Sequence, residues 1–314
     1  MKAIRFHEYG DPDVLRYEDV DLPVPGPGQV RVRVAATSFN AVDGNIRAGF
    51  MQGPMPLTLP HIPGVDVAGT VDALGEGVAE WAVGERVVGF LPFTDDGAAA
   101  EYVLAPAEIL AAAPASIPLT DAAALPVVGL TAWQALFDHA ELKPGQRILI
   151  SGAGGAVGGY AVQLAKAAGA YVIATGSPRS RERVAARGAD EVVDHTTTEV
   201  TAAVTEPVDV LLNLAPIGPA EYAALAGLVR DGGVVVGTTV WMPAPADEAR
   251  GVRAVDVYVR SDARQLAELV ARVDLRELIV DVDERTPLAE LASVHTRAAV
   301  GTLPGKVVVV AATD

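Results

Sequence analysis

The chain has 314 residues, half of them apolar, and a formal charge of −16. That length allows two domains with substantial cores, and the charge excludes nucleic acid or an anionic membrane as partner, since both need a basic face. With no cysteine, disulfides, thiolate nucleophiles, iron–sulfur clusters and cysteine-based zinc sites are excluded, so redox chemistry must come from a bound cofactor.

No stretch approaches the ~18 uncharged apolar residues of a membrane span. The opening MKAIRFHEYG lacks the apolar run of a signal peptide. A cytoplasmic protein with small-molecule partners is expected.

The first third reads as β-rich: IRF at 4 to 6, VRVRVAA at 30 to 36, VDVAGTVDAL at 65 to 74, RVVGFLPF at 86 to 93 and AEYVLA at 100 to 105. Alternation places Val30, Val32 and Val34 on a buried face and Arg31 and Arg33 on the other. Proline and glycine punctuate these strands, as in PVPGPGQ at 23 to 29 and MQGPMPLTLPHIPG at 51 to 64, which favours a barrel-like domain with long loops.

Near residue 120 the pattern changes. TDAAALPVVGLTAWQALFDHAEL predicts a helix started by Thr120 or Asp121 as N-cap, and KPGQ at 143 to 146 turns into RILISGAGGAVGGYAVQLAKAAGAYVIATGS. Ile148 to Ile150 form a short apolar strand, and Gly152, Gly154, Gly155 and Gly158 follow at once. Val157, Ala161, Leu164, Ala165 and Ala168 then recur at helical spacing, Gly169 stops the helix, and Tyr171 to Thr175 resume as a strand.

This is a βαβ unit with a glycine turn. Such a turn lets the backbone approach a pyrophosphate, whose charge is met by the free N–H groups at the helix start. The spacing is not a plain GxGxxG, so the flanking strands and helix carry the assignment.

Strand and helix keep alternating through EVVD at 191 to 194, VDVLLNLA at 208 to 215, the helix YAALAGLV at 222 to 229 and GGVVVGTTV at 232 to 240, as in a parallel sheet. A strand RAVDVYV, an amphipathic helix ARQLAELVARV and a terminal strand GKVVVVA complete the chain.

Together these segments resemble a medium-chain dehydrogenase/reductase of the zinc-free quinone oxidoreductase branch. The resemblance is carried by PVPGPGQVRVRVAATSFNAVDGNIRAG at 23 to 49, PHIPGVDVAGTVDALGEGVAEWAVGERVVG at 60 to 89, GAAAEYV at 97 to 103, LPVVGLTAWQAL at 125 to 136, the glycine turn, GADEVVDH at 188 to 195 and LPGKVVVV at 303 to 310. It implies an α/β protein: a Rossmann-type doubly wound parallel sheet over 121–259, plus a GroES-like β-rich catalytic domain over 1–120 and 260–314. It also implies a homodimer joined edge to edge, with Ala254 to Val259 as the candidate edge.

Zinc relatives hold their catalytic metal partly with a Gly-His-Glu histidine, where this chain reads Gly64-Val65-Asp66. No metal is expected. His61 lies nearby and reads as a loop or packing histidine, because His61 and Asp66 alone are too few ligands.

At the end of the second strand of the βαβ unit, an NAD enzyme tends to place an acid on the ribose 2′-hydroxyl. Here Gly176-Ser177 stands there, followed by Arg179, Arg181 and Arg183, which reads as a pocket for the 2′-phosphate of NADPH. Arg179 and Arg181 are the chosen ligands; the alternative is a solvated helix start. The family's cofactor turn maps onto Gly152, Gly155, Val157 and Gly158. The resemblance also assigns cofactor contacts to Ser177, His195, Asn213, Gly237 and Thr238, His195 otherwise being a surface histidine.

For chemistry, the resemblance makes Asn40 the residue that polarises or positions the acceptor carbonyl, and gives Thr131 a hydroxyl on the nicotinamide side, with an N-cap or core threonine as the alternative. Asp43 and Arg47 read as an ion pair fixing the Asn40 loop. Phe50, Met51, Met55 and Leu59 are the candidate walls of an apolar acceptor pocket. The expected function is zinc-independent, NADPH-dependent reduction of quinones or α,β-unsaturated carbonyls. The alternatives are an enoyl reductase acting on acyl thioesters and a non-enzymatic NADPH-binding, redox-sensing protein.

Overall fold

The computed structural model describes residues 1–53, 55–239 and 241–311. Its internal contacts separate two units, residues 1–127 with the segment from Ser261 onward, and Val128–Arg260. Among the described residues no helix is long and apolar enough to cross a membrane.

In the first unit β1 (Lys2–Phe6) and β2 (Leu15–Asp19) pair antiparallel. A larger sheet is built on β3 (Gln29–Ser38), flanked by β4 (Asp66–Leu74), then β5 (Arg86–Phe90) and β7 (Leu110–Ala112), while β6 (Tyr102–Pro106) also pairs with β3. Val30, Val32 and Val34 are fully buried and Arg33 is exposed, as alternation requires. Two short helices, α1 (Ala41–Arg47) and α2 (Leu119–Ala122), interrupt the strands.

The helix expected from residue 120 onward is broken. α2 is capped by Pro118 rather than by Thr120 or Asp121, and α3 (Pro126–Trp133) starts afresh at a proline, followed by a π-turn over Gln134–His139. Proline lacks the N–H an uninterrupted helix would need and is tolerated at a helix start. Asp121 instead pairs with Arg285 at 2.7 Å.

The second unit alternates β8 (Arg147–Ser151), α4 (Ala156–Ala167), β9 (Tyr171–Gly176), α5 (Arg181–Ala186), β10 (Glu191–Asp194), α6 (Val200–Ala203), β11 (Val208–Asn213), α7 (Pro219–Ala226), β12 (Val229–Gly237) and β13 (Arg253–Asp256). The sheet order is β10-β9-β8-β11-β12-β13, parallel throughout. Ile148, Leu149 and Ile150 have no exposure, as a strand covered on both faces demands. α7 begins three residues before the expected helix because Pro219 opens it, and Val229 already belongs to β12.

The chain then returns to the first unit with α8 (Ala263–Asp274), β14 (Glu284–Pro287), α9 (Leu291–Ala299) and β15 (Val307–Val310). Asp262 caps α8 by accepting from the N–H groups of Arg264 and Gln265, and the helix buries Leu266, Leu269, Val270 and Val273. β15 pairs antiparallel with β3, Val308 opposite Ser38, so the C-terminal segment is part of the first sheet.

Candidate functional site

The order of the parallel sheet reverses between β8 and β11, and ligands of such sheets bind outside the carboxyl ends of the strands at this point. The glycine turn lies there. Gly152 has φ +82°, and a Cβ on it would stand 2.9 Å from the Ala215 nitrogen in the turn after β11. Gly158 is held more tightly still, since a Cβ there would come within 2.5 Å of the Ala153 backbone. Both glycines are therefore required by packing.

Gly155 differs. It is exposed, caps α4 without any side-chain hydrogen bond, and a Cβ would meet only the Gly152 oxygen at 3.4 Å. Beside it Val157 is half-buried in the first turn of α4. An uncapped helix start with open space before it fits a pyrophosphate. Thr175, not singled out in the sequence, accepts from the Gly152 N–H at 2.9 Å and ties the turn to β9.

Ser177 follows β9 directly. Its N–H donates to Ser180 Oγ at 3.1 Å, and the same Oγ would lie 2.5 Å from a Cβ on Gly154. The serine–arginine segment and the glycine turn are thus in contact through Ser180, which sequence reasoning passed over. Arg183 donates to the Gly154 carbonyl at 3.0 Å and belongs to this scaffold, whereas Arg179 and Arg181 are exposed. His195, also exposed, donates its backbone N–H to the Gly176 carbonyl at 3.2 Å, which brings it to the end of β9.

Asn213 ends β11 fully buried, and its amide closes on Ala215, donating to the carbonyl at 3.1 Å and accepting from the N–H at 3.3 Å. It shapes the turn that faces Gly152. Gly237 ends β12, and Thr238 donates its backbone N–H to the Asn213 carbonyl at 3.3 Å. Thr131 is buried inside α3, so it is not an N-cap.

In the first unit a buried polar cluster surrounds Asn40. The side-chain Nδ2 of Asn40 donates to Asp66 Oδ2 at 2.8 Å and to the Ser38 carbonyl at 3.3 Å, while its Oδ1 accepts from Lys306 Nζ at 2.7 Å. Asp66 also accepts from the Ser38 hydroxyl and, at 2.8 Å, from the Val127 N–H. The expected pairing of Asp43 with Arg47 does not form. Asp43, in the first turn of α1, reaches back to the Asn40 N–H at 2.8 Å and across to the Gly64 N–H at 3.3 Å, and Arg47 donates to the Gly10 carbonyl at 2.6 Å.

Burial pushes the Asp43 carboxyl up to about 7; the Asn40 N–H opposes this, nearby Asp66 adds to it, and Lys306 and the Gly64 N–H oppose it in turn. The folded chain therefore holds a proton that the unfolded chain has released between pH 4 and 7. Stability from this group is complete below pH 4 and is lost as pH rises through 7, with a slope of at most about 1.4 kcal/mol per pH unit. His295 acts oppositely, because burial holds it neutral down to about 3 and stability rises with pH until about 6.5. Comparing Asp43→Asn with the parent isolates the Asp43 part from that of His295: the melting temperature at pH 7 relative to pH 4 should be higher in the variant than in the parent, and identical pH profiles would contradict the assignment.

The acceptor-loop residues divide. Met51 is a core residue packed with Phe6 and Ile46, Met55 and Leu59 rest half-buried against the same cluster, and Phe50 is 64% exposed. His61 is buried edge-on to the Phe6 ring at 5.4 Å, a packing histidine whose burial lowers its pKa. Its Nδ1 lies 3.7 Å from Asp96, and Asp66 faces Asn40. Among the described residues no three histidine or acidic side chains are grouped to hold a metal ion. His61 and Asp66 face different partners and do not converge on one metal position.

Comparison with known proteins gives two family matches, the alcohol dehydrogenase GroES-like domain over residues 26–115 and the zinc-binding dehydrogenase domain over residues 187–309. The chain is 40% identical over 208 residues to a chloroplast envelope quinone oxidoreductase homolog of Arabidopsis thaliana, 64% of this chain and 63% of the relative. Such matches span just under two thirds of these curated relatives' own length. Among solved structures, the quinone oxidoreductase from Coxiella burnetii is similar with TM-score 0.90 and 29% identity, covering 99% of each chain. A structure named as an NAD-dependent alcohol dehydrogenase is similar with TM-score 0.90 and 29% identity, covering 99% of this chain and 100% of that one.

Proposed function

Because the chain belongs to the quinone oxidoreductase-like branch of the medium-chain dehydrogenase/reductase superfamily, we propose that it reduces quinones or α,β-unsaturated carbonyls with NADPH and without zinc. Reduced nicotinamide, when bound, supplies the hydride. The chain's own task is to orient the reactants and exclude water.

The observation that carries this reading is the end of β9, where Gly176-Ser177 replaces an acid and the exposed Arg179 and Arg181 follow, in contact with the glycine turn through Ser180. One similar structure bears the name of an NAD-dependent enzyme, so the choice of NADPH rests on these arginines. Gly152, Gly155, Val157 and Gly158 take the pyrophosphate, His195 lies by the adenosine phosphate, and Asn213, Gly237 and Thr238 shape the edge for the nicotinamide ribose.

Asn40 is the proposed polarising group. One hydrogen of its amide is held by Asp66 at 2.8 Å, and among the described residues the other has just the 3.3 Å contact to the Ser38 carbonyl. The second is the one that an acceptor oxygen can redirect. Thr131 is the proposed hydroxyl on the nicotinamide side, and Phe50 and Met55 the apolar contacts to the acceptor.

Initial rates of chelator-washed protein with NADPH, measured across quinones, enones and acyl thioesters, test this function. Quinones and enones should turn over fastest. Turnover confined to acyl thioesters would make the protein an enoyl reductase instead.

A further inference from the structure

We infer that Lys306 is a positioning residue which, with Asp66 as its counter-charge, fixes the amide of Asn40 for the acceptor. This rests on the reading of Asn40 given above. The geometry begins with strand register: Val308 lies opposite Ser38 and Phe39 donates its N–H to the Val307 carbonyl, so the antiparallel pairing of β15 with β3 brings Lys306 to Asn40. The two residues are 266 positions apart in sequence and 2.7 Å apart in space.

Lys306 is 4% exposed, and its ammonium has three oxygens around it, Asn40 Oδ1 at 2.7 Å, the Phe39 carbonyl at 3.3 Å and Asp66 Oδ2 at 3.6 Å. Asp66, with no exposure, holds the other end of the same amide at 2.8 Å. The amide is therefore wedged between a cation at its oxygen and an anion at its nitrogen. A flip would set NH₂ against the ammonium and the carbonyl oxygen against the carboxylate, two repulsive contacts in a site of low dielectric. A cation on Oδ1 also polarises the amide and makes its remaining N–H a stronger donor.

Burying an ammonium is costly, and burial does lower the Lys306 pKa while Asp66 and Asp43 raise it. A lysine that only filled space would be replaced by an apolar side chain at little loss. Fixing the amide gives the charge a function.

A double-mutant cycle on kcat tests the inference. Lys306→Gln keeps a hydrogen-bond donor without the charge; it should lower kcat about tenfold with NADPH affinity and acceptor KM within about twofold of the parent. Combined with Asn40→Ala it should be no slower than Asn40→Ala alone, because both substitutions remove one effect. An unaltered kcat for Lys306→Gln, or losses that multiply in the double variant, would overturn the inference. Failure of the underlying reading is seen separately, as a normal kcat in Asn40→Ala with Lys306 intact.

If Lys306→Gln does not fold, Lys306→Met combined with Asp66→Asn removes both charges together and avoids leaving either one buried alone. It should show the same loss of kcat at unchanged KM. Parental kcat in that neutral pair would overturn the inference equally.

Discussion

Asn40→Ala should lower turnover ten- to hundredfold while NADPH affinity is retained. Removing one preorganised donor to a developing oxyanion costs on the order of 2.7 to 4 kcal/mol of transition-state stabilisation. Here the loss is discounted, because the available hydrogen already has a weak partner, the Ser38 carbonyl at 3.3 Å, and must be drawn from it. A loss of about 1.4 to 2.7 kcal/mol remains. Because alanine also strips Asp66 and Lys306 of an amide partner, the measurement needs thermal melting alongside, to separate a slower enzyme from a partly unfolded one. If kcat is unaltered and only acceptor KM rises, Asn40 merely shapes the wall.

The second large effect concerns the cofactor. Arg179→Ala with Arg181→Ala should weaken NADPH binding at least tenfold, about 1.4 kcal/mol, and leave NADH nearly unchanged. Both arginines are exposed, while the Gly154 carbonyl is held by Arg183, and thermal melting of the double variant checks that the turn stays folded. Titration of each dinucleotide by fluorescence checks this, and equal weakening of both cofactors would mean that the arginines do not read the 2′-phosphate.

The parts legible in the sequence share one physical property: their partners are close along the chain. β8, the glycine turn, α4 and β9 fall within residues 147–176, and buried apolar strands, positive φ and helical spacing all leave local marks there. The alternation in β3 was legible for the same reason. α1 was not, since its seven residues include Gly44 and Asn45 and offer a single apolar pair, Val42 and Ile46, too short a signal for a helix. The break at Pro126 was present as a letter, but the apolar spacing continues across it.

The polar cluster escaped because nothing local announces it. Asp66 and Lys306 meet Asn40 across 26 and 266 residues, and only the pairing of β15 with β3 brings the lysine in. Its one trace is a lysine opening a run of four valines in LPGKVVVV, a charged residue at the mouth of a strand whose first three valines are buried. The Asp43–Arg47 pairing failed for a related reason. Helical spacing allowed it, but the unsatisfied N–H groups of Asn40 and Gly64 took the carboxylate first.

Hydride transfer from NADPH without metal is most directly tested in a single turnover: chelator-washed protein is mixed with stoichiometric NADPH and then with a quinone, following nicotinamide and quinone absorbance together. The predicted result is loss of reduced nicotinamide in step with quinone reduction, faster than the same experiment with NADH. NADPH that binds but stays reduced in the presence of every quinone and enone would contradict it, and would leave a dinucleotide-binding protein without turnover.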